Sequence, residues 1–205
     1  LLDVVDALAR DGIGLHHIDF GGGVGIRYRD ETPPPVGELI AALLARVDAR
    51  GHGGKTILFE PGRSIAGPAG TLLTRVQYVK HGEAKNFAIV DAAMNDLARP
   101  AMYQAWMPVH PVAPSAHEIA LYDIVGPVCE SSDWLARERA LALAPGDLLA
   151  IGGAGAYGMS MASNYNSRPR AAEVMVDGER CYEVRRRELV EELFAGESVL
   201  PTGSA

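Results

Sequence analysis

The first 70 residues constrain this chain most, because a helical pattern, a short apolar strand, a second helical pattern and a second short strand follow in turn. Leu1, Val4, Val5 and Leu8 keep helical register up to about Gly12. His17-Ile18-Asp19-Phe20 reads as a strand running into Gly21-Gly22-Gly23. After Pro33-Pro34-Pro35, Leu39, Ile40, Leu43, Leu44 and Val47 share one helical face, and Gly51 lies beyond its end. Thr56-Ile57-Leu58-Phe59 is an apolar run of buried-strand type that ends at Glu60-Pro61-Gly62-Arg63. Strands alternating with helices imply a parallel sheet. Such sheets are covered on both faces, which two strands cannot achieve by themselves. The chain also opens directly on a helical pattern at Leu1. The expectation is a piece of a longer protein, with the rest of this sheet supplied from outside.

Beyond about residue 70 the pattern becomes antiparallel β. Leu72 to Val79 contains alternation, and His81-Gly82 suits a turn before Phe87-Ala88-Ile89-Val90. Ala120 to Val125 is a further strand candidate, as is Leu148 to Ile151 after the Pro145-Gly146-Asp147 turn. Asp177-Gly178, between Ala172–Val176 and Arg180–Val184, is the strongest hairpin signal. A short helix around Leu189, Val190, Leu193 and Phe194 precedes a polar tail. The expected division is 1–70, the end of an α/β domain, and 71–205, an all-β domain of sandwich or barrel type.

Composition narrows the function classes. The chain is 48% hydrophobic and 22% charged, ordinary for a globular protein with a core. No apolar run approaches the roughly 18 residues that a membrane span needs. A net charge of −7 without a basic stripe argues against nucleic acid as a main partner. Two cysteines, Cys129 and Cys181, are too few for a disulfide framework, which predicts a reducing cytoplasm.

Individually, the candidate residues allow bland readings. Glycines after a strand let backbone N–H groups approach a phosphate, or simply make a turn. Gly153-Ala154-Gly155-Ala156-Tyr157-Gly158 matches the dinucleotide fingerprint, but irregular loop follows where that fingerprint needs a helix. Glu60 and Arg63 stand at a strand end, where α/β folds place ligands, or pair with each other. Cys181, on a hairpin, reads as a packing residue, whereas Cys129 has loop-like neighbours. If Pro100 opens a helix, Tyr103 falls one turn from Arg99. His16 and His17 lack metal-ligand spacing and read as structural.

Taken in order, five segments resemble the diaminopimelate decarboxylases, fold-type III pyridoxal-phosphate (PLP) enzymes with an alanine-racemase-like barrel. They are His17 to Gly23, Glu60 to Ser64, Asn95 to Tyr103, Gly126 to Asp133, and Gly155 to Arg170. The resemblance implies the last strands of a (β/α)8 barrel followed by a C-terminal antiparallel β domain. It also implies that an earlier half carries the lysine that holds the cofactor. Lys55, Lys80 and Lys85, the lysines present, match no such motif.

The resemblance further assigns roles. Glu60 would face the PLP ring nitrogen, while Gly21, Gly22, Gly23, Gly62, Arg63 and Tyr157 would hold the phosphate. Arg63, Arg99, Tyr103 and Tyr157 would take the distal carboxylate of meso-diaminopimelate, Glu130 its ammonium group, and Cys129 would donate the proton. The cysteine loop would enter a neighbouring subunit's site, making the active unit a homodimer. Ala98, where the family usually has a larger apolar residue, is a departure that touches no role. The expected activity is decarboxylation of meso-diaminopimelate to lysine. The alternatives are decarboxylation of ornithine, arginine or a carboxylated polyamine such as carboxynorspermidine, or a non-catalytic homologue that binds a protein partner.

Overall fold

A computed structural model describes residues 1–201. Helix α1 (Leu2–Arg10) leads to strand β1 (His17–Asp19), and helix α2 (Val36–Ala49) leads to strand β2 (Thr56–Leu58). β1 and β2 pair in parallel, with Ile18 opposite Ile57. The pairing extends past the strands, since Phe20 N–H donates to Leu58 O (3.0 Å) and Glu60 N–H to Gly21 O (2.8 Å). Phe20 and Phe59 stack 5.8 Å apart at the same end. α1 is tied to the loop after α2 by charge: Arg50 donates to Asp3 (2.7 Å) and to Asp6, and His52 Nε2 lies 2.6 Å from Asp6.

The apolar run of β2 is only partly buried, in line with the expectation that two strands cannot cover a parallel sheet by themselves. Ile18 is 3% exposed, but Leu58 is 44% exposed and Ile57 is half-buried. A two-stranded sheet leaves both outer edges and much of each face uncovered, so apolar sequence alone does not bury β2.

Helix α3 (Gly62–Ala66) and a 3-10 turn (Gly67–Ala69) join this pair to the larger sheet. That sheet contains β3 (Leu72–Lys80), β4 (Asn86–Val90), β5 (Val109–Pro111), β6 (Ile119–Val125), β7 (Trp134–Ala142) and β8 (Leu148–Ile151). Their spatial order is β5-β8-β3-β4-β6-β7. The outer strands β5 and β7 approach each other, so the sheet curls towards a barrel. Its inner face holds a continuous core that includes Val76, Val90, Leu97, Met107, Ile124, Leu135, Leu149 and Ile151.

Three features depart from the sequence reading, one of them the short β5, which has no expected counterpart. β4 and β6 pair in parallel within an otherwise antiparallel sheet. Parallel neighbours need a crossover, and residues 91–118 supply it, carrying helix α4 (Arg99–Tyr103) and β5. β7 has no expected counterpart, because Arg137, Glu138 and Arg139 interrupt its alternation. The structure absorbs the interruption as a bulge: Glu138 adopts φ 53° and donates its N–H to Asp123 Oδ1 at 2.8 Å.

The Asp177-Gly178 hairpin forms as expected, with β9 (Glu173–Asp177) against β10 (Arg180–Arg185) and Gly178 at φ +58°. It is a separate two-stranded sheet and largely exposed. Cys181 is therefore exposed, not the packing residue expected, because this ribbon has no sheet beneath it. The expected terminal helix is a 3-10 helix, Val190–Phe194.

Candidate active site

The glycine triplet and Glu60 meet at the C-terminal ends of β1 and β2. Gly21 sits at φ +69° and Gly23 at φ +82°, conformations that suit glycine. A Cβ on Gly22 would overlap the Glu60 carbonyl oxygen, so glycine lets the two strand ends close together. Gly21 N–H is engaged by Asp19 Oδ1 (2.7 Å), and Gly62 N–H by Glu60 O (2.8 Å). Gly22 and Gly23 have no such acceptor among the described residues. Glu60 and Arg63 form no ion pair with each other, which leaves both side chains available to a ligand.

The second glycine cluster serves packing. Ala154 N–H donates to Gly70 O (2.9 Å), and Gly155 N–H to Gly67 O (3.2 Å). A Cβ on Gly155 would collide with Ala66 O, and one on Gly70 with the Gly155 backbone. These glycines let the loop after β8 lie directly on α3 and its 3-10 turn. In consequence Arg63 Cγ and Ala156 Cβ flank the same point above Gly67, at 3.6 and 3.8 Å. Tyr157, at φ 61°, follows at once and is 45% exposed.

Tyr157 also stacks on Arg99, whose guanidinium carbon lies 5.4 Å from its ring centroid. Tyr28 and Tyr103 stand at 5.6 and 5.9 Å from the same carbon. The helical spacing expected for Arg99 and Tyr103 holds, with Pro100 in the first turn of α4. Arg99 is thus oriented by three aromatic rings and has no carboxylate partner among the described residues. The Arg99 Nε and the Tyr28 hydroxyl are both buried without a partner. Tyr28 is absent from the sequence reading because it belongs to no quoted segment.

Cys129 and Glu130 sit together at an exposed loop between β6 and β7. Glu130 Oε1 accepts from Ser132 N–H (3.2 Å) and hydroxyl (3.1 Å), and Oε2 from the Tyr165 hydroxyl (3.2 Å). These bonds, Ser132 foremost, hold the Glu130 carboxyl below its usual range, while Glu130 raises the Tyr165 phenol. Glu130 is a fixed anion at neutral pH. Tyr165 lies within a quoted segment, but its bond to Glu130 is a tertiary contact that no spacing reveals.

Three loops are laced together around these groups. Arg168 Nε donates to Asn95 Oδ1 (2.9 Å), and Ser163 N–H to Asn95 O (2.9 Å), joining residues 153–170 to the segment before Arg99. Asp133 joins that same segment to the cysteine loop through Met94 N–H (2.7 Å). No hydrogen bond or ion pair among the described residues links Cys129 or Glu130 to Gly21–Gly23, Glu60, Gly62 or Arg63. The expected residues therefore fall into two groups. One cavity of about 230 Å³, lined in part by Gly70, Asp96, Gly155 and Gly158, has none of them in its lining. Lys55 stands at the opposite strand ends, donating to Leu15 O at 2.8 Å, and Lys85 pairs with Asp123.

Comparison with known proteins bears on the family and the fold. Residues 4–155 match the family model described as pyridoxal-dependent decarboxylase, C-terminal sheet domain. The chain is 62% identical over 201 residues to diaminopimelate decarboxylase of Pseudomonas aeruginosa, covering 98% of this chain and 48% of that one. It is 55% identical over 201 residues to the Vibrio cholerae diaminopimelate decarboxylase, with the same coverage. The Helicobacter pylori diaminopimelate decarboxylase crystallised with L-lysine matches with a TM-score of 0.87 and 41% identity, over 95% of this chain and 48% of that one. The chain spans about half the length of these relatives. Its parallel β1–β2 unit and curled sheet have the fold of the C-terminal part of fold-type III enzymes. The chain belongs to the pyridoxal-dependent decarboxylase family, in the region of its C-terminal sheet domain.

Proposed function

We propose that this chain is part of a PLP-dependent decarboxylase that converts meso-diaminopimelate to L-lysine and CO2. The observation that carries the proposal is Arg99, held among the rings of Tyr28, Tyr103 and Tyr157, with Arg63 packed near Ala156 just before Tyr157; both guanidiniums lack a carboxylate partner among the described residues. Two unneutralised cations beside a glycine-lined strand end suit a phosphate and a carboxylate. The residues fit PLP, because Gly23 faces open space at φ +82° and the N–H groups of Gly22 and Gly23 lack protein acceptors among the described residues.

Within that fit, Gly22, Gly23 and Arg63 bind the phosphate. The N–H groups of Gly21 and Gly62 are already engaged, so those two residues contribute by shaping the turn. Glu60 holds a proton at the ring nitrogen, and Tyr157 adds its hydroxyl. When bound, PLP supplies an electron sink for the carbon that loses CO2. Arg99, oriented by its tyrosines, forks the distal carboxylate of the substrate together with Arg63 and Tyr103. Glu130, anionic through its three hydrogen bonds, accepts the distal ammonium. Cys129 delivers a proton to the carbon left by CO2. The Cys129–Glu130 loop, exposed and without a hydrogen bond to the glycine group among the described residues, suits a homodimer in which it serves the neighbouring subunit's site. Two exposed, unbridged thiols suit a cytoplasmic enzyme.

The test is CO2 release by the full gene product carrying this chain, with PLP, from meso-diaminopimelate, ornithine and arginine. Fastest turnover is expected on meso-diaminopimelate. Faster turnover of ornithine would transfer the assignment to another diamino acid, and no turnover of any would support a non-catalytic homologue.

A further inference from the structure

We infer that Asp133 is a positioning residue: its carboxylate sets where the Cys129–Glu130 loop stands relative to the segment leading into Arg99. The geometry is independent of the proposed function, whereas the kinetic consequences rest on that reading. Asp133 is 4% exposed and has no cationic partner among the described residues. An ionised carboxylate in such a place is costly unless hydrogen bonds satisfy it. Here each oxygen takes a backbone donor from a different segment: Oδ1 accepts Met94 N–H at 2.7 Å, and Oδ2 accepts Val128 N–H at 2.7 Å. The backbone of Asp133 closes the same loop, accepting from Gly126 N–H (3.1 Å) and donating to Glu130 O (3.0 Å).

The chemistry explains why the residue is an acid. Two N–H donors from two segments require two acceptor oxygens, and an amide offers one oxygen and one donor. Gly126 belongs to the same device, since a Cβ there would run into both oxygens of the Asp133 carboxylate. Cys129 and Glu130 stand at the tip of the loop so clamped, while Met94 lies just ahead of Asn95 and α4. One buried group thus fixes how the loop that carries the proposed proton donor and ammonium site projects from the body that carries Arg99, and so how it is presented to the neighbouring subunit's site. Displacement of a reacting or recognising group by about 1 Å costs up to about a hundredfold in rate.

The test uses the PLP-loaded full gene product with two variants. Asp133→Asn keeps size but leaves one of the two N–H groups facing an amide donor. Gly126→Ala keeps the acid but pushes it aside, and answers the question if the first variant does not fold. Both are expected to lower kcat/KM on meso-diaminopimelate by about ten- to a hundredfold. The KM is expected to rise and PLP affinity to stay at the wild-type value. A substrate-free readout comes from the two exposed thiols of the chain: the alkylation rate of Cys129 by iodoacetamide should change severalfold while that of Cys181 does not. Wild-type kcat/KM and a wild-type thiol ratio in a folded variant would overturn the inference. So would parallel losses of PLP affinity, activity and folded protein, which mark a purely structural role. If the unmodified product fails to decarboxylate meso-diaminopimelate, the functional reading falls, and the thiol ratio still decides whether Asp133 positions the loop.

Discussion

The parallel pair β1–β2 and the curled six-stranded sheet are built from similarly apolar sequence, yet they are held up in different ways. The sheet curls towards a barrel and buries Leu97, Met107, Ile124, Leu135, Leu149 and Ile151 to 0% exposure. The pair buries Ile18 and Val47 but leaves Leu58, Val4 and Leu44 substantially exposed, and its helices are braced by Arg50 and His52 on Asp3 and Asp6. Apolar burial is about proportional to area removed from water, so a curled sheet with six strands gains most of it. The proposed labour divides along the same line. The pair offers backbone N–H groups, Glu60 and Arg63 to a cofactor, whereas the sheet presents Arg99, Cys129 and Glu130 to the variable end of a substrate.

The sharpest test of that division is all-or-none. The 205-residue chain, incubated with PLP and reduced with borohydride, should carry no stoichiometric pyridoxyl label on Lys55, Lys80 or Lys85. None stands at the strand ends that bear the glycines, and stoichiometric label at any of them would break the comparison. Next in size, Cys129→Ala in the full gene product should lower turnover by about 10²- to 10⁴-fold with PLP retained, as measured by CO2 release and equilibrium dialysis. Loss of PLP from this variant would mean that the sheet region also holds the cofactor.

Stability should divide in the same way. Leu149→Ala empties a fully buried site and is expected to cost about 2–5 kcal/mol in urea unfolding. Leu58→Ala, at a 44% exposed site, should stay within about 0.5 kcal/mol. Equal losses would show that β2 is covered in solution. The smallest effect concerns pH. His52 and Arg50 lower the Asp6 carboxyl below its ordinary 3.8. A group lowered in this way contributes stability above its ordinary value, and that contribution is lost as pH falls through the lowered one. Burial instead raises Asp96, beside the sheet core, so acidification removes a penalty there. Hydrogen exchange between pH 5 and 3 should therefore show α1 and the Arg50 amide losing protection before β6 and β7, which unlike β3 are not braced by the lowered Asp91 carboxyl. The reverse order would refute the charge-braced account.

Legibility followed the range of the interaction. Helices α1 and α2, strands β1 to β4, and the Asp177-Gly178 hairpin rest on periodicity and turn chemistry within a few residues, and the chain shows each of them close to where its sequence says. β7 was hidden because its bulge at Glu138 depends on Asp123 from a neighbouring strand. The parallel β4–β6 pairing was hidden because it depends on where a long crossover returns. The candidate site divides likewise: Glu60, Arg63, Arg99, Cys129 and Glu130 stand out as residue types in motifs. Tyr28, Asp133 and Tyr165 matter through contacts that join separate loops.

By itself, then, the sequence determined which residue types are available and where local elements start and stop, because propensity, capping and turn geometry act over a single turn or strand. The tertiary structure decided that Arg99 is held among Tyr28, Tyr103 and Tyr157, that the second glycine cluster serves close packing, and that Asp133 clamps the cysteine loop. Each of these needs backbones from distant parts of the chain to meet within a few ångströms. Such approach is set by how the elements pack as a whole, since hydrogen bonds and van der Waals contact vanish over a distance that local sequence does not control.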